Sequence, residues 1–275
     1  MIVKRPPLKG ISLVGSQLKN SSERPFADLT GLKAFVTGAS SGIGRAIALE
    51  FARAGADVLV HYARSATAAE ALAREIEALG RQASLFRHDF LQGRFEEFAD
   101  IVWKRSGQID VWVNNAGVDL LTGPEAKWEF AEKLKLLWEI DVAGTVILTR
   151  AAMQRMKLAG RGVILNIGWD QADRGMAGES AELFSAAKNA IMGFTRSAAM
   201  TAAPEVRVNC IAPGWIQTAW GETASEEWQS RVMSETPLRR WGLPEDIARL
   251  ARFLVSLDAS YITGQVVNAN GGAVR

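Results

Sequence analysis

Short apolar runs alternate along the chain with segments whose apolar positions recur every three or four residues. The runs Ala34 to Val36, Val58 to Tyr62, Ala83 to Phe86, Val111 to Val113, Val163 to Ile167, Val206 to Ile211 and Gln265 to Asn268 predict strands. Between them, Ile47 and Phe51 sit at helical spacing after the first run. Thr67 to Leu79, Phe95 to Lys104, Trp128 to Met156, Ser185 to Ala203 and Pro244 to Leu257 predict further helices. Strand-like runs alternating with helices in this way build a parallel sheet covered on both faces. The expected fold is α/β, a single-domain, doubly wound Rossmann fold on a parallel sheet of about seven strands. No internal repeat, low-complexity tract or linker divides the chain.

The first strand runs into Thr37-Gly38-Ala39-Ser40-Ser41-Gly42-Ile43-Gly44 and then into a helical pattern. Each glycine has a physical use there. Gly38 lets the chain turn tightly out of the strand, Gly42 lets the backbone approach a pyrophosphate, and Gly44 lets the helix pack closely on the sheet. The helix N-terminus adds free N–H groups and a partial positive charge. A strand, a glycine turn and a helix start in this order predict a dinucleotide site.

Composition narrows the classes. With 275 residues, 48% hydrophobic and 23% charged, the chain can bury one large core. A net charge of +2 is spread without a basic stripe or interleaved aromatics, so no nucleic-acid partner is expected. The single cysteine, Cys210, excludes an internal disulfide and fits a cytoplasmic setting. No stretch approaches the ~18 apolar residues of a membrane span, so no membrane partner is expected either. Residues 1–28 form a basic extension with Lys4, Arg5, Lys9, Lys19 and Arg24, lacking the apolar segment of a signal peptide. It reads either as a strap across a neighbouring subunit or as a tail. Only His61 and His88 exist, with no cysteine partner nearby, so no metal site is expected. His61 itself reads as a strand-end residue.

The chain resembles the short-chain dehydrogenase/reductase family over roughly Leu29 to Gly272, and within it the β-ketoacyl carrier-protein reductases. The resemblance rests on ordered motifs: Thr37 to Gly44, Asp89 after the third strand, Asn114-Asn115-Ala116-Gly117 after the fourth, and Lys188 on the helix after the fifth. Pro213-Gly214, Tyr261-Ile262-Thr263-Gly264 and Gly271-Gly272 complete the series. It implies that Ser40, Ser41 and Ile43 line the phosphates and ribose, that Tyr62 lies near the adenosine ribose, and that Asp89 and Phe90 hold the adenine end. It places Asn115, Ala116 and Gly117 along the cofactor, and Pro213, Gly214, Ile216 and Thr218 at the nicotinamide. It further implies a homo-oligomer, a tetramer, and a domain at 29–275 with a substrate lid at about 215–241.

NADP is the expected cofactor. After the second strand no Asp or Glu stands where the 2′-hydroxyl of NAD would be held, whereas Arg64 in His61-Tyr62-Ala63-Arg64-Ser65 offers a fork for a 2′-phosphate. The competing reading is a solvated arginine.

The catalytic positions match less well. The resemblance implies a tyrosine four residues before the lysine, but the segment reads Phe184-Ser185-Ala186-Ala187-Lys188, so the ring has no proton to give. Trp169 occupies the position expected of a serine, and Asp141 that of a helix asparagine. Lys188 still suits a ribose-holding role. Among the carboxyls near the pocket, Asp141, Asp170, Asp173, Glu179 and Glu182, burial could raise a pKa enough for proton donation, with Asp170 preferred. The competing readings are a salt bridge from Asp141 to Lys188 and simple solvation of the others. Trp215, Trp220, Trp228 and Trp241 in the lid, with Trp169 opposite, suit a small apolar or aromatic substrate, or else pack the lid or a subunit contact. The leading expectation is an NADP(H)-dependent oxidoreductase acting on a carbonyl or alcohol through an atypical site. The alternatives are a non-redox cyclase, isomerase or dehydratase, and a non-catalytic NADP-binding protein.

Overall fold

Strands form where the apolar runs predict them. The computed structural model describes residues 24–121, 124–219, 221 and 224–274. Residues 1–23 of the basic extension and Trp220 of the expected lid lie outside the described residues. In chain order the main elements are β1 (Lys33–Val36), α1 (Gly42–Arg53), β2 (Asp57–Tyr62), α2 (Ala66–Ala78), β3 (Ala83–Arg87), α3 (Phe95–Ser106) and β4 (Val111–Asn114). There follow α4 (Phe130–Leu137), α5 (Gly144–Leu158), β5 (Gly162–Ile167), α6 (Glu179–Ala202), β6 (Val206–Pro213), α7 (Glu226–Glu235), α8 (Pro244–Val255) and β7 (Val266–Ala269).

The strands form one seven-stranded parallel sheet in the order β3-β2-β1-β4-β5-β6-β7. Successive side chains of a strand point to opposite faces, and both faces are buried here. Ala34, Val36, Val58, Val60, Val111 and Val113 enter one core with Ile47, Phe51, Leu72 and Leu254 of α1, α2 and α8. Phe35, Leu59, Trp112 and Ile164 enter the other with Phe98, Leu148, Met156 and Leu183 of α3, α5 and α6. The architecture is thus the doubly wound α/β fold that the pattern predicts. Strand order reverses between β1 and β4, which opens the crevice where such sheets bind ligands.

Three local features differ from the sequence expectation. The single helix expected over Trp128 to Met156 is α4, a π-helical turn at Trp138–Ala143, and α5. The wider turn carries Asp141, which is 1% exposed and needs partners that an uninterrupted helix face does not guarantee. Helix α6 begins at Glu179, well before Ser185, with Glu179 and Glu182 in its first turn where the helix dipole favours acids. Helix α7 has no counterpart in the apolar pattern; it is nucleated by Ser225, whose hydroxyl accepts from the Trp228 N–H, and by Glu226 and Glu227. Phe26 to Asp28 lie against the fold: Phe26 stacks on Phe253 with centroids 5.8 Å apart, and Arg252 donates to the carbonyls of Phe26 and Ala27. Cys210 is fully buried, and burial pushes its thiol up to about 12.

Candidate active site

The segments that follow β1, β2, β3, β4, β5 and β6 meet at one edge of the sheet, because parallel strands all end there. At the centre, Gly38 takes φ +63, and a Cβ there would stand 2.9 Å from the Ala116 Cα. Gly44 is tighter, since a Cβ would fall 2.4 Å from the Gly38 carbonyl oxygen and from Asn115 Nδ2. These contacts press the start of α1 onto the loop after β4. Thr37 binds that loop to the turn: its hydroxyl accepts the N–H groups of Asn115 and Ala116, both at 2.9 Å. Asn115 Nδ2 donates back to the Thr37 and Gly38 carbonyls at 3.0 and 3.3 Å. Ser41 precedes α1 without a side-chain capping bond. Gly42 takes φ +53 and faces Thr218, whose Cγ2 would lie 3.6 Å from an added Cβ. Ser40 lies in the turn and Ile43 in the first turn of α1, so the open N-terminus of α1 looks across the crevice at the segment after β6.

Farther along the edge, Arg64 is 67% exposed and loosely paired with Asp89 and Glu125 at 3.7 and 3.8 Å. A recess of about 260 Å³ is lined there by Ala63, Arg64, Arg87, His88, Asp89 and Gln92. Asp89 accepts the Leu91 N–H, while the Phe90 ring is buried and stacks on His61 at 4.6 Å, so its contribution to any ligand comes from its backbone. Tyr62 is half-buried and packs on the first core. Sequence reasoning passed over Arg87, although it ends β3 directly opposite Tyr62 and brings a second guanidinium to the recess.

On the other side of β4, Lys188 Nζ lies 2.9 Å from Asp141 Oδ2, and Asp141 Oδ1 accepts the Val118 N–H at 2.9 Å. The ion pair weighed for these two residues therefore forms. The carboxylate also crowds Gly117, where a Cβ would sit 2.7 Å from Oδ2. The Lys188 side chain is 14% exposed and its partner 1%, so the ammonium is the member of the pair that solvent and ligand reach. One turn before Lys188, the half-buried Phe184 packs edge-on against Trp169, with centroids 6.4 Å apart.

Asp170 is 1% exposed. Its Oδ2 accepts from Asn270 Nδ2 at 3.0 Å, its N–H donates to the Pro213 carbonyl at 3.2 Å, and its Oδ1 has no hydrogen-bond partner. Burial raises its pKa from the ordinary 3.8 to about 6, against the lowering effect of the Asn270 hydrogen bond. Gly214 touches it, since a Cβ there would lie 3.3 Å from Oδ2. The remaining carboxyls stay outside this cluster: Asp173 and Glu182 are exposed, and Glu179 binds Lys133 at 2.7 Å. Between positions 215 and 242, Trp215 and Trp228 pack on each other at 5.3 Å, Trp241 is 9% exposed, and Ile216 bridges to Gly242. Tyr261 is fully exposed.

Known proteins match this chain over most of its length. Residues 38–274 match the family model described as enoyl-(acyl carrier protein) reductase. The 3-oxoacyl-[acyl-carrier-protein] reductase of Aquifex aeolicus is 36% identical over 253 residues, covering 89% of this chain and 98% of that one. A 7α-hydroxysteroid dehydrogenase solved with NADH and 7-oxo glycochenodeoxycholic acid is 34% identical, with a TM-score of 0.81 over 90% of this chain and 96% of its own. A protein of Beutenbergia cavernae assigned as an NAD(P)-dependent gluconate 5-dehydrogenase, holding NADP at low occupancy, is 33% identical, with a TM-score of 0.80 over 90% and 99%. Matching nearly end to end in sequence and in fold, the chain belongs to the short-chain dehydrogenase/reductase family, a family of oxidoreductases.

Proposed function

We propose that this chain is an NADP(H)-dependent oxidoreductase for a small apolar or aromatic carbonyl or alcohol substrate, with a proton source other than tyrosine. The observation that carries this reading is the gathering of the glycine turn, Asn115 to Gly117, Lys188 and Pro213 to Thr218 around one crevice. The residues fit a dinucleotide: a side chain at Gly38 or Gly44 would collide with the neighbouring loop, and the N-terminus of α1 is left without a side-chain cap. NADPH, when bound, supplies the hydride. The turn Ser40 to Ile43 would hold its phosphates and Asn115 to Gly117 would lie along it. Arg64 and Arg87 would share the 2′-phosphate, a dianion that outcompetes the loose contacts Arg64 makes with Asp89 and Glu125.

Lys188 would hold the ribose while Asp141 fixes its ammonium. The reduced carbonyl oxygen needs a proton, and Phe184 has none to offer. Asp170 is our candidate donor, because a carboxyl titrating at about 6 is still partly protonated near neutral pH and its Oδ1 is uncommitted. Residues at about 215–241 would act as the substrate lid, with Trp215 and Trp228 as apolar walls. The chain would work as a homotetramer in the cytoplasm.

The test is turnover of a carbonyl panel with NADPH, followed at the nicotinamide absorbance, for the native chain, Asp170→Asn and Phe184→Tyr. The native chain is expected to turn over and Asp170→Asn to lose about 10²–10⁴ in kcat. Activity appearing only in Phe184→Tyr would show a reductase scaffold that has lost its acid. No NADPH binding at all would overturn the whole reading.

A further inference from the structure

His61 is an imidazole that the proposed chemistry does not use, yet it is 2% exposed and bonded through both ring nitrogens. It sits inside β2, next to the strand that delivers the glycine turn. Its Nδ1 faces the Gly38 N–H at 3.0 Å and its Nε2 faces the His88 carbonyl oxygen at 2.9 Å. An amide can only donate and a carbonyl can only accept. The ring must therefore be neutral, with its proton on Nε2. The His61 backbone holds the same turn, its carbonyl accepting the Ala39 N–H at 2.9 Å. The ring is clamped by Phe90 at 4.6 Å and 18°, with Phe98 at 5.3 Å and Phe35 at 6.3 Å on its other sides. Burial holds it neutral by lowering its pKa to about 4, with His88 and Asp89 as the charged or titratable neighbours.

We propose that His61 is a positioning residue for the dinucleotide: a crossbar that sets the Gly38–Ala39 turn and ties it to the His88–Phe90 segment, so that the two ends of the cofactor cleft keep a fixed separation. The proposal rests on the reading of the crevice as a dinucleotide site. Its physical content is that the Gly38 amide, at φ +63 and wedged against Ala116, has His61 Nδ1 as its acceptor. Without that acceptor, the amide is left part-buried and unpaired or the turn rotates to find water. Either outcome misplaces the N–H groups at the start of α1. A phenylalanine at position 61 fills the same space and keeps the stack on Phe90, but accepts nothing. An asparagine loses the stack and the His88 link, but its Oδ1 reaches the position of Nδ1.

The experiment has two arms. The first uses the native chain: NADPH binding by fluorescence titration, and the tautomer of His61 by nitrogen-15 NMR, assigned by its loss in His61→Asn, as the chain has only two histidines. Binding with the Nε2–H tautomer is expected. An Nδ1–H tautomer or a charged ring at pH 7 overturns the proposal, whereas absence of NADPH binding overturns the underlying reading of the site instead. The second arm compares variants checked for native near-UV dichroism. His61→Phe is expected to raise the NADPH Kd about tenfold and the NADPH KM with it, at little cost in kcat. His61→Asn is expected to recover most of that loss despite poorer packing. Equal losses in both variants, or native affinity in His61→Phe, would show that the ring only packs.

Discussion

Burial keeps Asp170 from ionising at its ordinary pH, and this has a consequence for stability that is separate from any role in turnover. Its pKa rises from 3.8 to about 6 on folding, so the folded state binds a proton that the unfolded chain releases earlier. Stability from this group is complete below about pH 3.8 and is lost as pH rises through about 6, by about 3 kcal/mol in all. Asp170→Asn cannot ionise and can still accept from Asn270. Its unfolding free energy, read from urea unfolding, is expected to exceed that of the native chain at pH 7.5 by about 2–3 kcal/mol, with the gain vanishing near pH 4. A variant that is more stable yet inactive would separate the proton from the packing. At the recess beside β2, Arg64→Ala is expected to weaken NADPH about 10–100-fold while leaving NADH nearly unchanged, read by titration with both nucleotides. Arg87→Ala is expected to shift in the same direction by a smaller factor. These two guanidiniums differ in legibility. Arg64 follows a strand in the sequence, whereas Arg87 reaches the recess only because β3 pairs with β2 in the register that sets it opposite Tyr62.

The π-helical turn between α4 and α5 shows how an element can depart from its apolar pattern. It carries Asp141 inward to the Lys188 ammonium and the Val118 amide. Breaking a buried pair strands a charge, so Asp141→Ala is expected to cost about 3–5 kcal/mol, read as a fall in urea midpoint with an unchanged slope. Asp141→Asn keeps an acceptor for Val118 and is expected to cost less. Helix α1 offers a sharper case. Gly44→Ala places a methyl 2.4 Å from the Gly38 carbonyl oxygen, which neither backbone can vacate without shifting the helix. That variant is expected either to misfold or to lose NADPH binding altogether, measured by dichroism and titration together.

Across the whole molecule, apolar side chains remain on the outer surface of the elements around the π turn: Phe130 is 40% exposed, Trp138 49% and Leu121 42%. Association of identical subunits would cover them. Light scattering after gel filtration is expected to give about four times the 29.8 kDa chain mass, and Trp138→Glu to shift the distribution towards smaller species. Among the described residues no helix is long and apolar enough to cross a membrane.

What the sequence by itself determined was the architecture and the ordered motifs at the strand ends. Parallel strands buried on both faces leave an apolar signature with a period of its own, and a glycine forced by a tight turn or close packing is visible as a glycine. It also determined that position 184 has no hydroxyl, since that is a matter of composition. The tertiary structure decided which polar groups meet. Asp170, Asp173, Glu179 and Glu182 are all candidates along the chain, with Asp170 preferred, and burial against Gly214 and Asn270 sets the first apart from the rest. His61 reads as a strand-end histidine, yet strand pairing closes it over the glycine turn with both nitrogens committed. Contacts between residues distant in sequence depend on register and packing, and local pattern carries neither.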